Sequence, residues 1–299
     1  MPTVNELLNE KLKLYELSGL FKEVRKVQRD AFKEATDFYI AERNKLEGEP
    51  YLRRGTLAAT AVNRFEKRLS DAIEKNVSYK SEIRKYMTNF DKMDVLNSKV
   101  HRLLNKINIS GVIKLANKQK RELVGKTAGN VIGEIGRFPK NMLGDEMRQQ
   151  FTKPVKKVLY QNIMQGKPQS VAKKALHKFI IGDKGKIGQL ELWSGQIARD
   201  TLSQYDGAVN DMVRKEFDLN GIKYIGSLVK DSRRQCIRWK KMGVIPYDQL
   251  TKEISWAYSN GKGMIPLTDK DNFCSRRGGY NCQHSGTPVR IEEKEVLTK

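Results

Sequence analysis

From Leu190 to Phe217 the apolar residues Leu190, Trp193, Ile197, Leu202, Tyr205, Val209, Val213 and Phe217 recur at helical spacing with no proline between them. A stripe of that length cannot be buried by a small sheet alone, so the chain is committed to a long amphipathic helix around which other elements pack. The same period, with Lys, Glu and Arg between the apolar positions, runs from Val4 to about Gly48 and from about Thr56 to Glu74. It predicts further helices near 78–90, 94–107, 111–124, 128–136 and 141–149. Ser18-Gly19 is the expected hinge in the first of these, and Glu47-Gly48-Glu49-Pro50 its end. A strict heptad does not persist, which speaks against a coiled coil. No strand is expected before residue 220.

After about residue 150 the pattern shortens. Pro154 opens a helix through Val155, Leu159 and Ile163 that stops at Gly166, and Ser170 is the expected cap of a second one through Ala172, Leu176 and Ile180. Asn220-Gly221 ends the long helix; Ile222, Tyr224, Gly226 and Leu228 then alternate as a strand does, and a short helix is expected at 247–258. The predicted fold is therefore mainly α. An elongated helical region, 1–150, precedes a small α+β domain, 151–299, with a long central helix and a short sheet, and that domain is expected to fold by itself.

The 299 residues carry 57 Lys and Arg against 35 Asp and Glu, a formal charge of +22. Residues 97–190 hold 20 of those bases and only 5 acids. Such a stretch favours a polyanion or an acidic protein surface, and with few aromatics it favours phosphate contacts over base stacking. Lys114, Lys118, Lys120 and Arg121 are the candidate contacts to double-stranded DNA, without sequence preference. No apolar run is long enough to span a bilayer, and acids and lysines interrupt the start of the chain where a signal peptide needs an apolar core, so neither membrane nor secretion is expected.

Cys236, Cys274 and Cys282 all lie near the C-terminal end. Three thiols do not make a disulfide scaffold and suit a reducing compartment. Together with His284 they form a Cys₃His set, a complete complement for structural zinc, although the spacings are not those of a zinc knuckle. Cys282 and His284 share a face only if the chain there is extended, and Gly278-Gly279 supplies a reversal. The alternative is three idle thiols, with the tail held by Ile265, Phe273 and Tyr280. Asp231 and Arg233 follow the strand and form, with Arg199 or Asp200, the expected structural ion pair. His101 and His177 read as surface or partly buried positions. No phosphate loop or nucleophile triad is present in the sequence, so an enzyme is not expected.

The order VLYQNIMQGKPQSVAKKAL, then WSGQIARDTLSQYDGAVNDMVRKEFDLNGIKYIGSLVKDSRRQC, then NFCSRRGGYNCQH, over about residues 150–290, resembles the C-terminal region of MuF-like minor head proteins, the head-morphogenesis family of tailed bacteriophages. The matching elements are the glycine turn and Ala-rich helix at Gly166 to Leu176, Arg199-Asp200-Thr201 on the long helix, Asp231, Arg233 and Cys236 after the strand, and the Cys/His tail. Tyr224 stands where the family commonly has Trp, and Cys236 where it commonly has His. The resemblance implies a low-copy structural protein inside the head, near the portal vertex, acting in procapsid assembly and in DNA packaging or ejection. Its implied partners are the portal protein and the major capsid or scaffolding protein, and its implied location is the host cytoplasm during assembly and then the virion. The alternative is a nucleic-acid-binding or nuclease-like effector that uses the Cys/His cluster.

Overall fold

A computed structural model of the chain describes residues 2–16, 18–117, 142–279, 282 and 284–292. The protein is mainly α with two small antiparallel sheets, as its periodicity implies. Two compact units are each assembled from separated stretches of chain, one from 1–16, 87–124 and 198–299, the other from 17–86 and 125–197. The expected boundary at 150 and the independent 151–299 domain are therefore corrected. Residue 150 lies inside the second unit, because the amphipathic faces on either side of it share one core.

In that second unit α2 (Ser18–Lys45), α3 (Tyr51–Lys75), α7 (Lys153–Met164) and α8 (Gln169–Ile180) pack side by side. Val24, Ala31, Val62, Phe65, Leu69, Val155, Leu159 and Leu176 fill the space between them. Pro50 and Pro168 precede the two helices α3 and α8, so α3 begins earlier than its apolar pattern suggested and Ser170 lies inside α8 rather than capping it. Ahead of α7 a short helix α6 (Asp145–Met147) runs into a π-turn at Arg148–Thr152. Gly182–Asp183 (β1) and Lys186–Ile187 (β2) pair as a two-residue hairpin where no strand was expected. Gly182, at φ +106°, permits it, since a Cβ there would stand 2.0 Å from the Lys186 carbonyl oxygen.

The first unit begins with α1 (Val4–Lys13). Its entry is a capping box: the Glu6 amide donates to the Thr3 hydroxyl at 3.3 Å and the Thr3 amide to the Glu6 carboxylate at 2.7 Å. Leu7 and Leu8 pack on Leu96, Val100 and Ile225. The expected helices 78–90 and 94–107 are one, α4 (Val77–Leu104), because nothing between them breaks a helix and Tyr86, Phe90, Met93, Leu96 and Val100 continue a single buried stripe. Residues 110–117 form α5, and the rest of the expected 111–124 helix and the 128–136 helix lie outside the described residues.

The predicted long helix is α9 (Gln189–Glu216), followed by β3 (Gly221–Ile225). This strand is central in the sheet β4-β3-β5, where β4 is Val244–Pro246 and β5 is Ser285–Val289, with Ile222 opposite both Ile245 and Pro288 and Tyr224 opposite Gly286. The strand is shorter than its alternation suggested. At Gly226, φ +136°, the chain turns under His284, whose ring a Cβ would meet at 2.6 Å. Helices α10 (Arg234–Met242), α11 (Leu250–Asn260) and α12 (Phe273–Arg276) cover the sheet, and Trp239, Ile254, Phe273 and Tyr224 share a core with Cys236 and Cys274. Among the described residues no helix is long and apolar enough to cross a membrane.

Candidate metal centre

Strand β3 delivers Tyr224 to the interior, the first turn of α10 delivers Cys236, and Cys282 and His284 reach the same place from ahead of β5. The Cys236 and Cys282 sulfurs are 3.9 Å apart, and Cys282 Sγ is 3.6 Å from His284 Nδ1. Among the described residues these three are the group whose donor atoms lie close enough together, all within 4.8 Å, to hold a metal ion. Cys274 is corrected out of the expected four-residue set. Its thiol is buried beside Asp211, whose carboxylate oxygens accept the amides of Cys274 and Ser275 at 2.9 and 3.0 Å.

A tetrahedral ion with bonds of ~2.3 Å to sulfur and ~2.0 Å to nitrogen sets a sulfur–sulfur edge of about 3.8 Å and a sulfur–nitrogen edge of about 3.5 Å. The observed 3.9 and 3.6 Å fit those edges. The backbone closes over the group at Gly278, where a Cβ would stand 2.5 and 2.7 Å from the two sulfurs, so no side chain is tolerated there. Its carbonyl is held by donation from the Arg233 guanidinium and from the Gln235 amide, the latter at 3.3 Å. His284 is buried, and its Nε2 has no partner among the described residues.

Electrostatics divide the two thiols. Donation from the Cys236 thiol, with His284 and Arg277 nearby, holds Cys282 well below the ordinary thiol range against the opposing effect of burial. The neighbouring Cys282 and burial push Cys236 up, so that it keeps the shared proton. Such a pair of sulfurs and an imidazole suits a borderline-soft cation such as zinc, and binding one displaces the shared proton so that both sulfurs are thiolates.

The remaining residues with an expected role fall elsewhere. Asp231 is exposed in the turn at Val229 to Ser232, Arg199 is half-buried on α9, and Arg233 donates to the Gly278 carbonyl beside the thiols. Lys114 is exposed on α5, while Lys118, Lys120 and Arg121 lie outside the described residues. His177 is exposed, with its ring edge-on to Phe32. His101 is fully buried, contrary to expectation, between Asn210 at 3.0 Å and Asn105 at 2.9 Å.

Two features were missed by sequence reasoning. Tyr224 was placed on the strand but not at the thiols, although its alternation with Ile222 put it on the core face. An open, shallow surface on α3 with Arg64, Lys67, Arg68 and Lys75 around one acid, Asp71, was concealed by the near-neutral charge of the N-terminal third; its helical spacing was the available signal. Comparison of the chain with protein-family models, curated proteins and solved structures gives no match.

Proposed function

We propose that the chain is a minor structural protein of a tailed-phage head, bound near the portal vertex during procapsid assembly and acting there without catalysis, with a structural zinc ion held by Cys236, Cys282 and His284. The observation that carries the reading is the meeting of these three side chains. They belong to two of the segments, SRRQC and the Gly-rich tail, whose order along about 140 residues carries the resemblance to MuF-like proteins, and they meet at ligand spacing although the two cysteines are 46 positions apart. Coordination ties a tail of little apolar surface to the end of β3, so zinc binding contributes directly to folding.

Basic surfaces support contact with packaged DNA. Lys114 is exposed, and α3 adds a shallow surface of four bases and one acid, Asp71. Such contacts neutralise phosphates and weaken steeply with salt.

Two measurements test the reading. Mass spectrometry of purified virions, from a phage encoding this chain, should find it at low copy with the head and bound to the portal in pull-downs; its absence from virions would refute the structural role, and metal-dependent DNA cleavage by the purified protein would replace it. Elemental analysis of protein purified without added metal should find one zinc per chain, lost in Cys282→Ser.

A further inference from the structure

The phenol oxygen of Tyr224 stands 3.5 Å from Cys236 Sγ and 3.7 Å from Cys282 Sγ. In the metal-free chain these are O–H···S hydrogen-bond distances, whereas a buried tyrosine hydroxyl normally finds an oxygen or nitrogen partner. Here both partners are sulfur. An oxygen ligand at ~2.0 Å beside a sulfur ligand at ~2.3 Å on one tetrahedral ion gives an oxygen–sulfur edge of about 3.5 Å. Tyr224 thus lies at ligand-edge distance from both thiols, as His284 does from one of them. The ring is fixed in that place, stacked on His284 at 5.2 Å and 16° and edge-on to Trp239 at 5.5 Å. A Cβ on Gly278 would come within 3.0 Å of the phenol oxygen as well as striking both sulfurs, so the glycine closes over all three atoms together.

Charge points the same way. Arg277 is fully buried and donates to the carbonyls of Ser203 and Cys274 at 3.0 and 3.1 Å, which are neutral, while its Nε and a second arm have no hydrogen-bond partner among the described residues. The acidic groups near it are Cys282 and Asp206, while burial and the two sulfurs push the Tyr224 phenol up, so that it keeps its proton until an ion binds. Asp206 already has Lys11 at 2.7 Å. A divalent ion held by two thiolates and an imidazole is neutral and leaves Arg277 as an uncompensated buried cation, which is costly. With one phenolate added, the centre carries a single negative charge and Arg277 balances it.

We propose that Tyr224 is the fourth ligand of the centre, so that Cys236, Cys282, His284 and the Tyr224 phenolate form a closed tetrahedral zinc site with no position left for water or substrate. The inference rests on the zinc reading above and sharpens it, because a site with four protein ligands is structural whereas one with three keeps a catalytic position open. On binding, the one proton shared by the two sulfurs and the phenol proton pass to the buffer, and no group is oxidised or reduced.

The test uses the full chain loaded with zinc or with cobalt. Adding zinc to the metal-free wild type should generate the ultraviolet difference spectrum of one tyrosinate per ion bound, a measurement that needs no variant. Tyr224→Phe should keep the sulfur-to-cobalt charge-transfer band and lose zinc affinity, read by chelator competition, by at least the ten- to hundredfold that loss of an outer partner costs. Zinc uptake with no tyrosinate signal, or a Tyr224→Phe variant with unchanged affinity and cobalt spectrum, overturns the role of Tyr224 and leaves a three-residue site standing. A wild type that takes up no zinc overturns both.

Discussion

The two compact units differ in how they bury charge: the buried carboxylate Glu191 of one is met by Arg25, whose side chain is 56% exposed, while the other buries both members of an ion pair. Between α2, α3, α7 and α8 the interior is hydrocarbon: Val24, Phe65, Leu69, Phe151 and Leu159 are essentially inaccessible, and a buried polar contact there is the 2.9 Å hydroxyl pair of Ser70 and Thr152. The unit that holds the thiols instead buries Lys11, Asn97, His101, Asp206, Asn210, Asp211 and Arg277. At its centre Asp206 faces the Lys11 ammonium at 2.7 Å and accepts from Ser285 at 2.9 Å, Asn97 at 3.1 Å and Tyr15 at 3.2 Å. Burial pushes the Asp206 carboxyl up, but Lys11, Arg277 and Ser285 outweigh it and hold it below the ordinary carboxylate range. Apolar cores accept many shapes of similar volume, whereas a buried ion accepts only its partners. Asp206 ties α1, α4, α9 and β5 together, elements far apart in sequence, and so specifies their arrangement.

The largest effect should therefore come from breaking that centre on one side only. Asp206→Leu strands the Lys11 ammonium away from water and is expected to lower stability by about 3–5 kcal/mol in denaturant unfolding. The double variant Lys11→Met, Asp206→Leu should recover much of that loss, since two apolar side chains leave no orphaned charge. If the single variant costs no more than the double, the contrast between the units fails. In the hydrocarbon unit the comparable blow is a cavity. Leu159→Ala is expected to cost about 3 kcal/mol, and no second substitution of a polar partner should rescue it.

The difference between the units also explains what the sequence discloses. Periodicity located α2, α7 and α8 because their burial is mostly apolar, and α9 because its apolar stripe is visible without knowing its partner even though Asp206, Asn210 and Asp211 are buried on it too. It could not show that residues 1–16 belong with 198–292, since that pairing runs through Lys11 and Asp206, which read as a solvated lysine and one acid among many. His101 was misplaced for the same reason: a histidine among lysines looks exposed until Asn210 and Asn105 are found on either side of it. The candidate metal-holding group, Cys236, Cys282 and His284, was legible because Cys and His are rare and carry their chemistry in their identity. Cys274 was included on composition alone, and only the fold shows that its thiol turns toward Asp211 while Tyr224 faces the sulfurs.

Acid sharpens the comparison, because two buried groups of the thiol-bearing unit act in opposite directions. Burial lowers the His101 pKa to about 4, so between its ordinary value and 4 the unfolded chain binds the extra proton and stability falls as the pH falls. Burial raises the Asp211 carboxyl to about 6, so from 6 downward the folded chain takes up the proton first and stability rises as the pH falls. Each amounts to on the order of 3 kcal/mol, at 1.36 kcal/mol per unit, and they nearly cancel. Wild-type stability should be almost flat between about pH 6 and 4. Asp211→Asn should lose stability on acidification across that window, and His101→Gln should gain it. Thermal melts of the three proteins at matched pH decide the matter, and parallel curves would show that neither group titrates as its burial requires.

The smallest effect isolates burial as the cause of all the others. Lys45 stands 2.7 Å from the Glu42 carboxylate, the same separation as Lys11 from Asp206, yet the Lys45 side chain is 66% exposed and the Lys11 side chain 0%. Water screens the exposed pair, and holding two long side chains together costs entropy that nearly offsets the attraction, so Lys45→Ala should change stability by no more than about 0.5 kcal/mol. Raising the salt concentration should shrink even that difference. The Lys11 pair, out of reach of counterions, should show no matching salt dependence in the Asp206→Leu comparison. Distance is identical in the two pairs, so a Lys45→Ala loss approaching that of Asp206→Leu would mean that contact, rather than removal from water, sets the energy of ion pairs in this protein.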